Sequence, residues 1–590
     1  MRYGRPIRLD AALAVVSSLG LLWGIWTIER PQLLNFGYWE GFGFDVALAA
    51  LALLLLFRAV WPPRRLAAPL RVALSTLVVA ICAFDVLGAI RTLDYMPAVN
   101  NNLNEINDIL GPSVGKIPDS SFIPQYTSLY GWLIEPLKGV LSPLALVGAI
   151  AIMLTVLGFV TVALAVWVVK RVLPERGWVL ALALVVPITY VTSHATGDIS
   201  SIASLFQELA IRLFSGFLIA AIGLHDLILM YHGTLRARRL VAVGAVCGLI
   251  AWNSQDFGAA AMVTYGLMVL VVPRPPIRWR ARGFWLTGLA VGLALYPLFL
   301  LAIGSPLNLS FVGAFAKLAG SGFGSAPIQV PGPVLVVVPI IISATAAGWA
   351  LIAARPERTS GDGALDRAAI TLAFVGTWSV VGLVYYISRG YAAAQLQSML
   401  LPCGVCVACL ASIVMRSERL ERSDRAQGVP TIWDGLSGKV TLLPVGLSVC
   451  LCFASALLTP DPVLATTELL HPPAGGGYTT YDLPQIASAV ERARSYTAGS
   501  PGALTYLGES FNYVALAMHV PSDAILFPYA LSPASDQSVV QIECQYLDDH
   551  HSRWLVLSAN ALAAFGPGVC GRYRAIGVQG LTYGQLQELK

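Results

Sequence analysis

Runs of about twenty apolar residues recur along most of this chain. That is the length a helix rising roughly 1.5 Å per residue needs to cross a hydrocarbon layer about 30 Å thick. The runs fall near 10–28, 43–62, 71–90, 139–169, 177–192, 211–231, 238–252, 257–273, 283–303, 334–354, 367–387, 397–415 and 440–459. They predict a multi-pass α-helical membrane protein of about thirteen transmembrane helices. Only 12% of the 590 residues are charged while 56% are hydrophobic, which excludes a purely water-soluble protein. The net charge of +5 is too small to point to nucleic acid.

The placement of the scarce charge sets the topology. Arginine clusters mark alternate connections: Arg2, Arg5 and Arg8; Arg58, Arg64 and Arg65; Lys170, Arg171 and Arg176; Arg236, Arg238 and Arg239; Arg274 through Arg282; Arg355 and Arg358; Arg416 through Arg425. Basic loops stay cytoplasmic, so the N-terminus is expected inside. The connections 91–138, 193–210, 253–256, 304–333 and 388–396 are expected outside, as is everything after 460. The first run lacks a small-residue cleavage site and reads as a retained anchor. Residues 1–459 are therefore expected to form the membrane domain.

From about Pro460 the texture becomes that of a soluble domain, 460–590, introduced by the linker HPPAGGGY. Helical patterns at 482–494, 510–518 and 535–547 alternate with strand-like runs at 503–507, 524–529 and 554–558, which predicts a small α/β layer. Cys544 and Cys570 are the cysteines of this outward part, where oxidation is permitted, and they are expected to form a disulfide. Cys403, Cys406 and Cys409 recur every three residues without a His or acidic companion and read as buried packing residues.

Ionisable groups at membrane depth are costly and mark function by default. Here they gather in the outward loops. The third apolar run leads into Arg91 and Asp94. Leu103, Ile106, Ile109 and Leu110 then fall at helical spacing, with Asn104, Glu105, Asn107 and Asp108 between them, which describes a short amphipathic helix lying on the membrane surface. The aromatic segment FIPQYTSLYGW returns the chain to the bilayer with Tyr126, Tyr130 and Trp132 at interfacial depth. Glu105, Asp108 and Asp119 read as an exposed polar face.

Asp94, the 101–110 helix, Gly115-Lys116 and Pro124 through Trp132 follow an order that resembles the GT-C superfamily of integral membrane glycosyltransferases. The resemblance covers roughly 71–415 and departs from the common acidic pair, since Tyr95 follows Asp94. It implies a GT-C-like fold, a polyprenyl-phosphate-linked sugar donor, a glycan, lipid or protein acceptor, and a carboxylate base on the extracytoplasmic face of the cell membrane. Asp94 is the first candidate base, with Asp198 as a second acid or metal ligand.

Charge building up on a departing phosphate needs a cation. Arg389, in a cation-poor outward connection, is the first candidate for the donor phosphate; Arg212 and Lys116 are alternates. Tyr126, Tyr130, Asn253, Gln255 and Asp256 are candidate sugar contacts, although Asn253 through Asp256 suit helix capping equally. No cofactor is fixed by these residues, and a divalent metal remains open. The competing reading is a transporter, flippase or polymerase of lipid-linked saccharides; Asp85, inside the third apolar run, favours the transporter among these. No GxxxxGK[ST] motif supports an ATP-driven pump.

Overall fold

The computed structural model describes residues 102–172, 209–321, 334–353, 363–389, 401–413 apart from 407 and 411, 483–498, 504–508, 511–522, 524, 537–550, 552–558 and, with short interruptions, 561–590. Asp94 and Asp198 lie outside these residues, as do the apolar runs at 10–28, 43–62, 71–90, 177–192 and 440–459.

A short helix, α1 (Asn102–Leu110), precedes a bundle of α2 (Pro143–Val172), α3 (Phe214–Tyr231), α4 (Ala237–Asn253), α5 (Phe257–Val271), α6 (Pro275–Ala302), α7 (Leu309–Ser321), α8 (Val334–Ala353) and α9 (Gly363–Arg389). Among the described residues, three helical stretches are long and apolar enough to cross a membrane: Ala145–Val172, Leu209–Tyr231 and Pro275–Ala302.

Local chemistry sets the helix ends. The Asp256 carboxylate accepts the Phe257 N–H at 2.6 Å and opens α5. Pro275 and Pro276 open α6, where a missing N–H costs nothing. The tight turn after α3 closes on Gly233 at φ 85°, a left-handed conformation that favours glycine.

Helices α4 and α6 pack backbone to backbone. Gly288 and Gly292 lie on the carbonyls of Val241 and Ala245, while Gly244 and Gly248 lie on the backbone of α6 between Trp285 and Leu293. Small residues four apart allow that approach where lipid supplies no hydrophobic drive between helices. On the other side of the bundle the Trp378 ring sits over Gly216, edge-on to Phe217, and its Nε1 donates to the Phe257 carbonyl at 3.3 Å.

From α3 to α6 the helices alternate in direction, so their connections sort to two ends. The last turn of α2, carrying Lys170 and Arg171, and the connections 231–237 and 271–275 share the arginine-bearing end. The connections 253–257 and 302–309 share the opposite end with the segment 102–142, to which Asn253 and Asn308 are hydrogen-bonded.

The C-terminal part contains α10 (Leu483–Thr497), β1 (Leu504–Leu507), α11 (Phe511–Met518), α12 (Gln537–His550), β2 (Trp554–Leu557), β3 (Tyr573–Ile576) and β4 (Gln585–Leu589). The strands form one sheet in the order β1-β2-β4-β3. Strands β1 and β2 pair parallel, with Leu504 opposite Trp554, through a crossover that carries α11 and α12. The other pairs are antiparallel, with Trp554 opposite Glu588 and Tyr573 opposite Leu589. Every residue of β2 is buried, as its unbroken apolar run requires at the centre of a sheet. A disulfide of 2.07 Å joins Cys544 in α12 to Cys570 in the turn before β3.

Two expectations need correction. The connection 304–333 holds α7, whose Phe311, Ala314 and Phe315 enter the core of the C-terminal domain together with Phe122 and Ile123. The sheet also gains β3 and β4, short strands whose partly exposed residues give no apolar alternation. Of the expected strand at 524–529, the structure describes Ala524, which stands outside any strand.

Candidate functional site

The segment 102–142 lies between the bundle and the C-terminal domain, and its carboxylates Asp108 and Asp119 are buried rather than exposed. Ile106, Ile109 and Leu110 of α1 pack with Tyr126, Tyr130, Ile134 and Leu146. The opposite face of α1, expected to lie in water, is covered by α11. Asn107 Oδ1 accepts the Asn512 N–H at 2.9 Å, and Asn512 Nδ2 donates to the Asn107 carbonyl at 2.7 Å. Both asparagines are fully buried.

Asp108 follows on the same helix at 1% exposure. Its Oδ2 accepts the backbone N–H of Gln125 at 2.9 Å and of Tyr126 at 2.7 Å, while Oδ1 is buried without a hydrogen-bond partner. Burial pushes this carboxyl up to about 8; the amides of Tyr126, Gln125 and Thr127 oppose the rise and the charge of Asp119 adds to it. At neutral pH Asp108 is therefore mostly protonated.

Asp119 sits in a turn at φ 62°, a left-handed conformation that aspartate tolerates better than most side chains. The turn is held from three sides. Asp119 donates its N–H to the Phe122 carbonyl at 2.9 Å, and its own carbonyl accepts the Asn308 N–H at 2.9 Å. Gln255 Nε2 donates to its Oδ1 at 2.6 Å. Burial raises this carboxyl to about 6, opposed by the Ser128 hydroxyl and the Gln255 amide. Asp119 is therefore mostly ionised at neutral pH, so the two buried acids differ in charge.

A buried cation stands nearby. Leu209–Leu213 form a single π-helical turn at the head of α3, and all five residues are buried. Such turns are frequent at functional sites. Arg212, 3% exposed, holds its guanidinium 5.6 Å from the Tyr126 ring. The same aromatic segment is fastened to this turn by Tyr130, whose hydroxyl donates to the Ala210 carbonyl at 2.8 Å.

The candidate residues thus separate. Tyr126 and Tyr130 lie inside the core of the segment instead of at an interface. Asn253 accepts the Thr127 hydroxyl at 2.8 Å and docks the loop, Gln255 holds Asp119, and Asp256 caps α5. Lys116 turns toward the C-terminal domain, donating to the Ala524 carbonyl at 3.2 Å and lying 5.6 Å from the Tyr546 ring. Arg389 ends α9, and its side chain lies outside what is described.

The exposed-face reading of Asp108 and Asp119 is overturned, because the C-terminal domain and the bundle close over both. One signal was present in the sequence: Asp119 stands in IPDSSFIP, an acid flanked by apolar and proline residues on both sides, which is poor company for a solvated loop. Among the described residues no three His, Cys, Asp or Glu side chains converge as a metal site would require.

No family model and no curated protein matches the chain. Among solved structures it is similar to the crystal structure of ArnT from Cupriavidus metallidurans bound to undecaprenyl phosphate. The identity is 13% and the TM-score 0.41, with 87% of this chain and 98% of that chain covered.

Proposed function

We propose that the protein is a membrane glycosyltransferase that passes a sugar from a polyprenyl-phosphate-linked donor to a glycan, lipid or protein acceptor at the extracytoplasmic end of the bundle. One observation carries the reading: Asp108, Asp119 and Arg212 are buried together at one end of an apolar bundle. A purely structural boundary would leave such groups in water, because desolvating them is costly. The opposite end carries the arginine clusters, and the positive-inside tendency supports the reading of this end as the outward one.

The chemistry asks for the same groups. An acceptor hydroxyl attacks the anomeric carbon as a carboxylate takes its proton, and the carbon–oxygen bond to the phosphate breaks. Asp94, in the part of the chain leading into α1, remains the first candidate for that base. Arg212, with Arg389 as its companion, meets the charge left on the departing lipid phosphate. Asp108 and Asp119 hold the segment that forms the floor, one neutral and one ionised.

The test incubates the purified full chain with polyprenyl-phosphate sugars and acceptor glycans, comparing wild type with Asp94→Asn and Arg389→Ala. Sugar transfer that falls at least about hundredfold in Asp94→Asn supports the reading. Movement of the lipid-linked sugar across a bilayer without transfer would instead make the chain a carrier.

A further inference from the structure

The arginine-bearing end holds a charged cluster that the proposed chemistry leaves unused. Arg171, Arg236 and Arg239, from the last turn of α2 and the start of α4, all act on the His225 ring of α3. Of the charged groups acting on that ring, Asp226 alone is negative. Asp226 is already engaged: its Oδ2 accepts from Arg239 Nε at 3.2 Å, and its side chain is only 4% exposed. Arg239 also donates to the Ile222 carbonyl at 3.2 Å. Three guanidiniums thus crowd a rim with one buried carboxylate among them, which leaves positive charge for an external anion to meet.

The surface leading away from the cluster says which kind of anion. The Arg171 guanidinium stacks on the Trp167 ring at 3.4 Å, which engages its face and leaves its N–H edge for an acceptor. Trp167 continues a stripe along α2 through Ala163, Val160, Val156 and Ile152, at helical spacing of three and four. Val160, Val156 and Ile152 are 39%, 53% and 54% exposed. An apolar track that ends on a stacked guanidinium suits an acyl chain with an anionic head. A soluble anion would need the head alone.

We propose that Arg171, Arg236, Arg239 and His225 bind the headgroup phosphate of an anionic phospholipid in the leaflet at the arginine-bearing end, with an acyl chain along the α2 stripe. The site lies at the opposite end of the bundle from Asp108, Asp119 and Arg212, and it stands whether or not the chain transfers sugar. A zwitterionic headgroup would require an exposed carboxylate for its amine, and among the described residues the carboxylates at this end are Asp226, buried and held by Arg239, and Asp366, buried beside His232.

The test adds phosphatidylglycerol or phosphatidylcholine of identical acyl chains to the full-length protein in detergent and counts retained lipid by native mass spectrometry. Wild type is expected to retain phosphatidylglycerol in preference to phosphatidylcholine. Each basic group near an anionic headgroup contributes roughly a fivefold change in affinity, so Arg171→Gln/Arg236→Gln should weaken retention about thirtyfold. Arg239 is left in place because removing it would strand buried Asp226. Arg278→Gln/Arg280→Gln, at the same end on α6, should retain the lipid like wild type. Equal retention of the two lipids by wild type overturns the proposal, and that arm needs no variant to fold. Undiminished retention in a folded Arg171→Gln/Arg236→Gln protein overturns it too, as does displacement of the lipid by free glycerol phosphate at equal concentration.

Discussion

The two ends of the bundle handle charge in opposite ways. At one end Asp108 and Asp119 are enclosed by backbone amides, an asparagine pair and the C-terminal domain, with Arg212 buried beside Tyr126. At the other, Arg171, Arg238 and Arg239 are exposed, buried Asp226 anchors Arg239, and buried Asp366 lies 3.6 Å from His232. Exposed arginines at a helix rim orient the chain at little cost, since water and headgroups solvate them. Buried acids and a buried arginine cost free energy that folding alone does not need, which is why chemistry is assigned to their end.

Removing one group at a time separates the two ends. The largest effect is expected for Arg212→Ala, which should lower sugar transfer roughly hundredfold to a thousandfold if its guanidinium meets developing phosphate charge, measured as turnover with a polyprenyl-phosphate sugar. Asp108→Asn should act on stability instead. In the folded protein Asp108 keeps its proton up to about pH 8, against 3.8 when unfolded. The folded state therefore binds more protons across that window, and stability falls as pH rises through it. Asp108→Asn should flatten this slope, as read by thermal unfolding in detergent between pH 5 and 9 on the order of one unit per step. An unchanged slope would mean that another group carries it.

A smaller loss is expected when the C-terminal domain is loosened from α1. Asn512→Ala removes a donor from a buried pair and should cost about 1–3 kcal/mol. Hydrogen exchange should rise across 102–110, and a double-mutant cycle with Asn107→Ala should show coupling. Arg238→Gln, at the exposed rim, is expected to leave both melting temperature and transfer unchanged.

How much of this was legible depends on whether the cause was local. The described bundle helices follow from the apolar runs: the run at 211–231 became α3 with its preceding turn, 238–252 became α4, and 334–354 became α8. Helix α7 escaped because glycines, serines and prolines around 304–333 resemble a loop, and its Phe311, Ala314 and Phe315 pack into the C-terminal core, far away in sequence. The burial of Asn107 and Asp108 was not legible, since Asn107 finds its partner 405 residues away. Amphipathic spacing revealed one packed face of α1 and carried no information about a second. Asn512 holds α1 through Asn107, and Tyr506 and Trp554 are core residues. Strands β3 and β4 depend on β2 for pairing and lack a pattern of their own.

The most direct measurement reconstitutes wild type, Arg212→Ala and Arg238→Gln in liposomes and follows transfer of a labelled sugar from a polyprenyl-phosphate donor to an acceptor glycan. Transfer by wild type and Arg238→Gln, with loss in a folded Arg212→Ala protein, is the predicted result. Equal transfer by all three, or accumulation of intact donor in the opposite leaflet without any transfer, would contradict the assignment of chemistry to the buried end.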